Sequence, residues 1–187
     1  MKQFGLAQKF RSILPAVREW IQMTLAEYQG VSFHTVDFAF PRIGKVFPRE
    51  LLIRTKVVVT SGRVPFPPLS NMGLPEFGEM ESMAVDGITF VDTYFIRHRS
   101  QSESLHFHEL VHVVQWARLG IDRYLLAYGA GLMKFGYLDS PLEKMAYSLQ
   151  SGFEKGDLPP NIIGWIHQET DAVWNGVAPL FSNFRTT

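Results

Sequence analysis

The chain has 187 residues, 46% of them hydrophobic and 15 of them Phe, which fits one globular domain with a real core and excludes a disordered chain. Eighteen basic and eighteen acidic residues cancel, and no basic run offers a footprint for nucleic acid or an anionic membrane. There is no cysteine, so disulfides and Cys-ligated zinc are excluded, and any transition-metal site must use His, Asp and Glu.

Phe4 to Tyr28 carries Phe10, Ile13, Leu14, Val17, Trp20 and Ile21 at helical spacing. Pro15 predicts a kink there, or a split into two helices. Lys2, Lys9, Arg11, Arg18 and Glu19 interrupt the stretch Met1 to Leu25, which reads neither as a secretory leader nor as a membrane span. A cytoplasmic protein is therefore the expectation. Gly30 is a plausible stop. Val31 to Phe40 is aromatic and β-branched and predicts a strand; Pro48 to Leu52 suits a helical turn, and Lys56 to Thr60 a short strand. Val64 to Met83 contains Pro65, Pro67, Pro68 and Pro75, and reads as an ordered loop with one short helix near Glu76 to Met80. It is too apolar for a flexible linker, so no domain boundary is placed there.

Ile88 to Arg97 alternates strictly. Ile88, Phe90, Asp92, Tyr94 and Ile96 share one face, and Thr89, Val91, Thr93 and Phe95 the other, which predicts one strand. Four helices follow: Ser102 or Glu103 to Leu119, ended by Gly120; Asp122 to Phe135, followed by Gly136; Ser140 to Phe153; and Pro160 to Trp174. A helix, then strands, then helices indicates a single α+β domain over residues 1–187, a small twisted sheet packed by helices.

The chemistry concentrates in His108-Glu109-Leu110-Val111-His112, an HExxH pattern. On a helix, two histidines four apart project from one face and can bind one zinc ion, while Glu109 can reach a metal-associated water as general base. Gln115 continues the same stripe. A catalytic zinc needs a third protein ligand. The metzincin extension is excluded, because Gln115 and Arg118 stand where its Gly and third His belong. Glu143, on a later helix, is the best remaining candidate. It has a competing explanation: Ser140, Pro141 and Glu143 also spell a capping box, with Ser140 as N-cap. The residues by themselves leave cap and ligand both open.

Phe107-His108-Glu109-Leu110-Val111-His112-Val113-Val114-Gln115-Trp116, followed by Ser140-Pro141-Leu142-Glu143-Lys144-Met145-Ala146-Tyr147, resembles the gluzincin branch of the zincin metallopeptidases. More narrowly, it is similar to small bacterial zincin-like proteins that pair HELVHVxQ with a downstream PLExxAY. The resemblance spans roughly Gly87 to Phe153. It implies that His108, His112 and Glu143 ligate one Zn2+ and that Glu109 activates water. It also implies that Ile88 to Ile96 is an edge strand beside the cleft, where a peptide or protein substrate lies by β-addition. One departure is plain: many gluzincins carry an acidic residue four after the glutamate ligand, and this chain has Tyr147 there. A phenol can accept an imidazole N–H but brings no charge, so Gln115 and Asp92 are alternative supports.

Other candidates are weaker. His106 faces away from His108 and reads as structural. His167, Glu169 and Asp171 form a polar patch that is usually a solvated face, with His167 the runner-up third ligand or transition-state donor. Tyr94, Tyr128 and Tyr147 read as packing residues, and Trp116, Trp165 and Trp174 as core anchors. The functional expectation is a zinc-dependent hydrolase, a metallopeptidase. The alternative is a zincin fold that binds zinc or a partner protein without cutting peptides.

Overall fold

A computed structural model describes residues 2–182; Met1 and residues 183–187 of the expected domain lie outside the described residues. In chain order the elements are α1 (Lys2–Tyr28), β1 (Phe33–His34), α2 (Ile43–Val46), α3 (Arg49–Arg54), β2 (Lys56–Thr60), α4 (Gly78–Ser82), β3 (Gly87–Phe90), β4 (Thr93–Arg97), α5 (Glu103–Phe135), α6 (Pro141–Lys155), α7 (Ile162–Val177) and α8 (Pro179–Ser182). The class is α+β, as expected. The four strands form one mixed sheet in the order β1-β2-β4-β3, with β2 parallel to β4 and the outer pairs antiparallel. α5 packs against α1, α6, α7 and the β3–β4 hairpin, and so lies at the centre of the molecule. Among the described residues no helix is long and apolar enough to cross a membrane.

Three expectations are corrected. α1 runs through Pro15 as one helix, so of the kink and the split expected there the split is overturned. Proline removes one N–H and crowds one carbonyl, but Phe10, Leu14, Val17 and Ile21 are buried on both sides of it and hold the helix together. Val31 to Phe40 is not a strand beyond Phe33–His34; it turns into a 3-10 helix at Thr35–Phe38. The His34 N–H donates to Asp37 Oδ2 at 3.1 Å, so a local side-chain bond outcompetes the ladder. Phe38 and Phe40 then stack on each other and against His106.

The third correction concerns Ile88 to Arg97. It is a hairpin, not one strand: Phe90 faces Thr93, and Val91 and Asp92 form the turn. The two-residue loop inverts the faces: Ile88 and Phe90 share a side with Phe95 and Thr93, while Tyr94 and Ile96 share the other with Thr89 and Gly87, so the single face expected for Ile88, Phe90, Asp92, Tyr94 and Ile96 is split. Val91 adopts φ 59°, a conformation that β-branched residues rarely take. The hairpin places β3 at the sheet edge, beside α5.

Buried aromatic contacts fix α5 in the layer. Phe107 stacks on Phe153 of α6 with ring centroids 4.3 Å apart. His106, facing the sheet, pairs through Nδ1 with the Tyr94 hydroxyl at 2.8 Å. Burial holds His106 neutral, lowering its pKa to about 4, which fits the structural role expected of it.

Candidate metal centre

α5 is not one straight rod. Gly120 has φ 70° and ψ 171°, outside the helical region, where glycine is the residue that costs least. The helix therefore breaks where the sequence places its stop. Residues 121–135 fold back along residues 103–119. Trp116 and Tyr124 lie eight apart, which is about 12 Å along a straight helix, yet their rings stack at 3.9 Å. This return brings Tyr124 and Tyr128 over the His108–His112 face.

α6 enters on the same side. Ser140 is its N-cap residue and Pro141 its first helical residue, but the Ser140 side chain makes no capping bond and its Oγ is buried without a partner. Ser140 is tucked against Gly131 instead, where a Cβ would come within 2.6 Å of the hydroxyl. Glu143 is not in a capping box. Its carboxylate turns inward and is buried beside the two histidines.

Three ligand atoms converge. His108 Nε2 and His112 Nε2 lie 3.1 Å apart, and Glu143 Oε2 lies 3.5 Å from the first and 3.4 Å from the second. Bonds of ~2.0–2.1 Å at a tetrahedral centre separate ligand atoms by about 3.3 Å, so the triangle has the dimensions a single zinc-sized ion needs. Among the described residues this is the group of His, Asp and Glu side chains able to hold a metal.

Hydrogen bonding points the same way. The Gln115 Nε2 amide donates to the Leu142 carbonyl at 3.1 Å, which fixes the amide and turns its Oε1 to His112 Nδ1 at 2.8 Å. His112 therefore donates from Nδ1, and its Nε2 carries a lone pair when the ring is neutral. Gln150 Oε1 meets His108 Nδ1 at 3.1 Å in the same manner. Two imidazole nitrogens and a carboxylate oxygen then face one another, and Glu143 Oε2 has no hydrogen-bond partner. Such a set calls for a cation. Burial opposes charge on His112, but Glu143 beside it outweighs burial and lifts its pKa to about 9. Burial likewise works against the Glu143 carboxylate, and the two histidines more than offset it, holding the group well below the usual range.

The remaining carboxylate oxygen, Glu143 Oε1, accepts a hydrogen bond from the Tyr128 hydroxyl at 2.6 Å. Burial and the Glu143 charge both raise the Tyr128 pKa, so it remains a donor. This leaves Oε2 alone aimed at the histidines. Tyr128→Phe is expected to weaken the affinity of the cluster for a divalent metal ion about 10-fold, the lower end for losing a hydrogen bond to a metal-binding side chain. Competition with a chelating dye measures it, and the variant should keep its fold because the ring stays.

Glu109 lies on the flank of the cluster, fully buried. Its Oε2 accepts from Thr89 Oγ1 at 2.6 Å, and its Oε1 lies against Gly87, where a Cβ would come within 2.3 Å. Glycine is needed here for close approach. Burial raises the Glu109 pKa most, with His108, His112 and Thr89 pulling it down. Thr89 also accepts from Trp116 Nε1 through its carbonyl at 3.1 Å, so Trp116 anchors the edge strand to α5 as well as the core.

The other expected positions are elsewhere. Tyr147 packs its ring 4.6 Å from the His108 ring, and the His108 Nδ1 bond goes to Gln150. Asp92 sits in the hairpin turn and accepts from Thr93 Oγ1 at 2.9 Å. His167 lines a separate surface hollow with Pro48, Leu51 and Arg118, and Asp171 pairs with Arg118. Gln150, Thr89 and Gly87 are the site residues that sequence reasoning missed. Only Gln150 left a signal: it lies seven after Glu143, two turns along one face.

The cluster is reached from an outer groove of about 640 Å³, bordered by Asp86, Arg99, Gln101, Tyr147 and Gln150. Behind it lies an inner cavity of about 80 Å³. Compared with known protein families, curated proteins and solved structures, the chain matches none.

Proposed function

We propose that the chain is a zinc-dependent hydrolase, a metallopeptidase of the zincin type. His108, His112 and Glu143 would hold one zinc ion, and Glu109 would act as general base. The observation that carries this reading is the buried triangle of two Nε2 atoms and one carboxylate oxygen, with edges of 3.1, 3.4 and 3.5 Å. A cysteine-free donor set of two imidazoles and a carboxylate suits zinc. Zinc in that place supplies a Lewis acid for the scissile carbonyl and makes water acidic near neutral pH.

The chain's own residues account for the rest. Thr89 holds Glu109 Oε2, leaving Oε1 to take a proton from the attacking water and pass it to the leaving amine. A carboxylate whose proton affinity is raised by burial is a better base than one in water. The Arg97 N–H donates to the Asp86 carbonyl, so Asp86, Ile88 and Phe90 bond to β4 while Gly87 and Thr89 face outward. The Thr89 carbonyl is taken by Trp116, which leaves the Gly87 end of β3 for an extended peptide.

A second reading, a zinc-binding module that cuts nothing, has one observation in its favour. Both histidines lean on neutral amides, Gln150 and Gln115, rather than on a carboxylate. The two separate cleanly. The hydrolase reading expects one zinc per chain, cleavage of a mixed peptide library, loss of cleavage with a chelator and recovery with zinc. Zinc without cleavage supports the module. Protein that takes up no zinc sinks both.

A further inference from the structure

The polar residues of α7 do not share one setting. Asp171 pairs with Arg118, and His167 lines the hollow beside Pro48. Glu169 turns away from both, into a hollow of about 770 Å³ between α6, α7 and the end of α5. Trp165, Glu169 and Val173 line it at four-residue spacing along α7, and Met145 of α6 and Phe135 of α5 add to its apolar wall. The turn from α5 to α6 leaves large apolar side chains in the open here: Phe135 is 48% exposed and Leu138 65%.

Charge narrows what can cover this face. Four charged groups border the hollow: Lys134, Asp139, Lys144 and Glu169. Lys144 and Asp139 pair with each other at 3.8 Å. Lys134 lies 4.9 Å over the Phe135 ring. Among the described residues, Lys134 has no carboxylate partner and Glu169 no cation. An occupant must bring an acid to Lys134 and a base to Glu169 at once. A purely acidic or purely basic segment satisfies one and repels the other. The same surface of a second copy brings both, because a two-fold axis sets each Lys134 against the Glu169 of the other copy. With zero net charge, two copies meet without overall repulsion.

We propose that this face docks a second copy of the chain. Across a two-fold axis, the Phe135–Leu138 turn of each copy enters the hollow of the other, and the Lys134–Glu169 ion pairs set the register. The pairing lies apart from the metal centre and does not depend on the hydrolase reading. One hollow and one turn per copy make a small interface, so the dimer is weak, with a Kd on the order of 10 µM.

Sedimentation of the full chain over a range of concentrations is the test. A dimer is expected that dissociates as salt rises. Lys134→Glu and Glu169→Lys each act twice across the axis and should each weaken it roughly 10-fold or more. Leu138→Asp, at an exposed turn position that the fold tolerates, should do the same. The double variant Lys134→Glu/Glu169→Lys should regain the dimer. An equimolar mixture of the two single variants should form a heterodimer, since each supplies the charge the other lacks. Thermal melts matching the parent show that the variants are folded. A chain that stays monomeric throughout overturns the pairing and gives the hollow to some other molecule. So does a dimer indifferent to all three substitutions, or single variants that do not pair on mixing. Growth of the mixture into larger species means head-to-tail contact and overturns the two-fold arrangement.

Discussion

Glu143→Ala is expected to cut zinc affinity by more than ~100-fold, beyond the 10- to 100-fold typical of losing a partner that only orients a ligand. The reason is geometric. Glu143 Oε2 is one of three atoms in the triangle, buried and without any other hydrogen-bond partner. Ser140→Ala is the matched control. A working N-cap serine would cost about 1 kcal/mol on replacement. Here the Ser140 hydroxyl is buried and unpaired, so its removal should leave zinc affinity unchanged and the melting temperature equal or slightly raised. Isothermal titration and thermal melts of the two variants read both effects. If both lost stability equally and neither lost zinc, Glu143 would be a cap and the metal centre would lack its third ligand.

The legible part of this site was the part that lies along single helices. His108 and His112 share a face by their spacing alone, and Glu143 needed only the assumption that a later helix returns. What was not legible depends on how the halves of α5 meet. Tyr128 donates to Glu143 only because Gly120 breaks the helix and sends residues 121–135 back over it. A phenol on an apolar helix reads as packing until that turn is known. The Ser140 cap shows the converse. Its local pattern was well formed, yet the buried setting drew Glu143 inward, and burial beside two imidazoles won over a solvent-side bond to a backbone N–H. The hairpin at Val91 was hidden for a third reason: both faces of β4 are buried, so the shift of Tyr94 and Ile96 to the side opposite Ile88 and Phe90 leaves no mark in the apolar pattern. The missed fold of Ile88 to Arg97 matters for the site, because of its two strands β3 lies at the edge and β4 does not, and the Gly87 end of β3 stays open.

Glu109→Gln should remove hydrolysis by about 10²- to 10⁴-fold while zinc remains bound at one ion per chain. The amide keeps the shape of the side chain and can still meet Thr89, but it cannot take a proton from water. Glu109 is not one of the triangle atoms, so metal content is the readout that separates a lost base from a lost site. Gly87→Ala reaches the same carboxylate from the opposite side. A methyl there would lie within 2.3 Å of Glu109 Oε1, and the contact is with the carboxylate itself, so Glu109 must swing away from its Thr89 bond. Turnover should fall with zinc affinity unchanged, and a companion Thr89→Val change should add little to Gly87→Ala, because both act through the position of one side chain. Full additivity of the two would mean that Gly87 and Thr89 act separately. Retained cleavage by zinc-replete Glu109→Gln would show that some other group carries the proton, and the role given to Glu109 would fall with it.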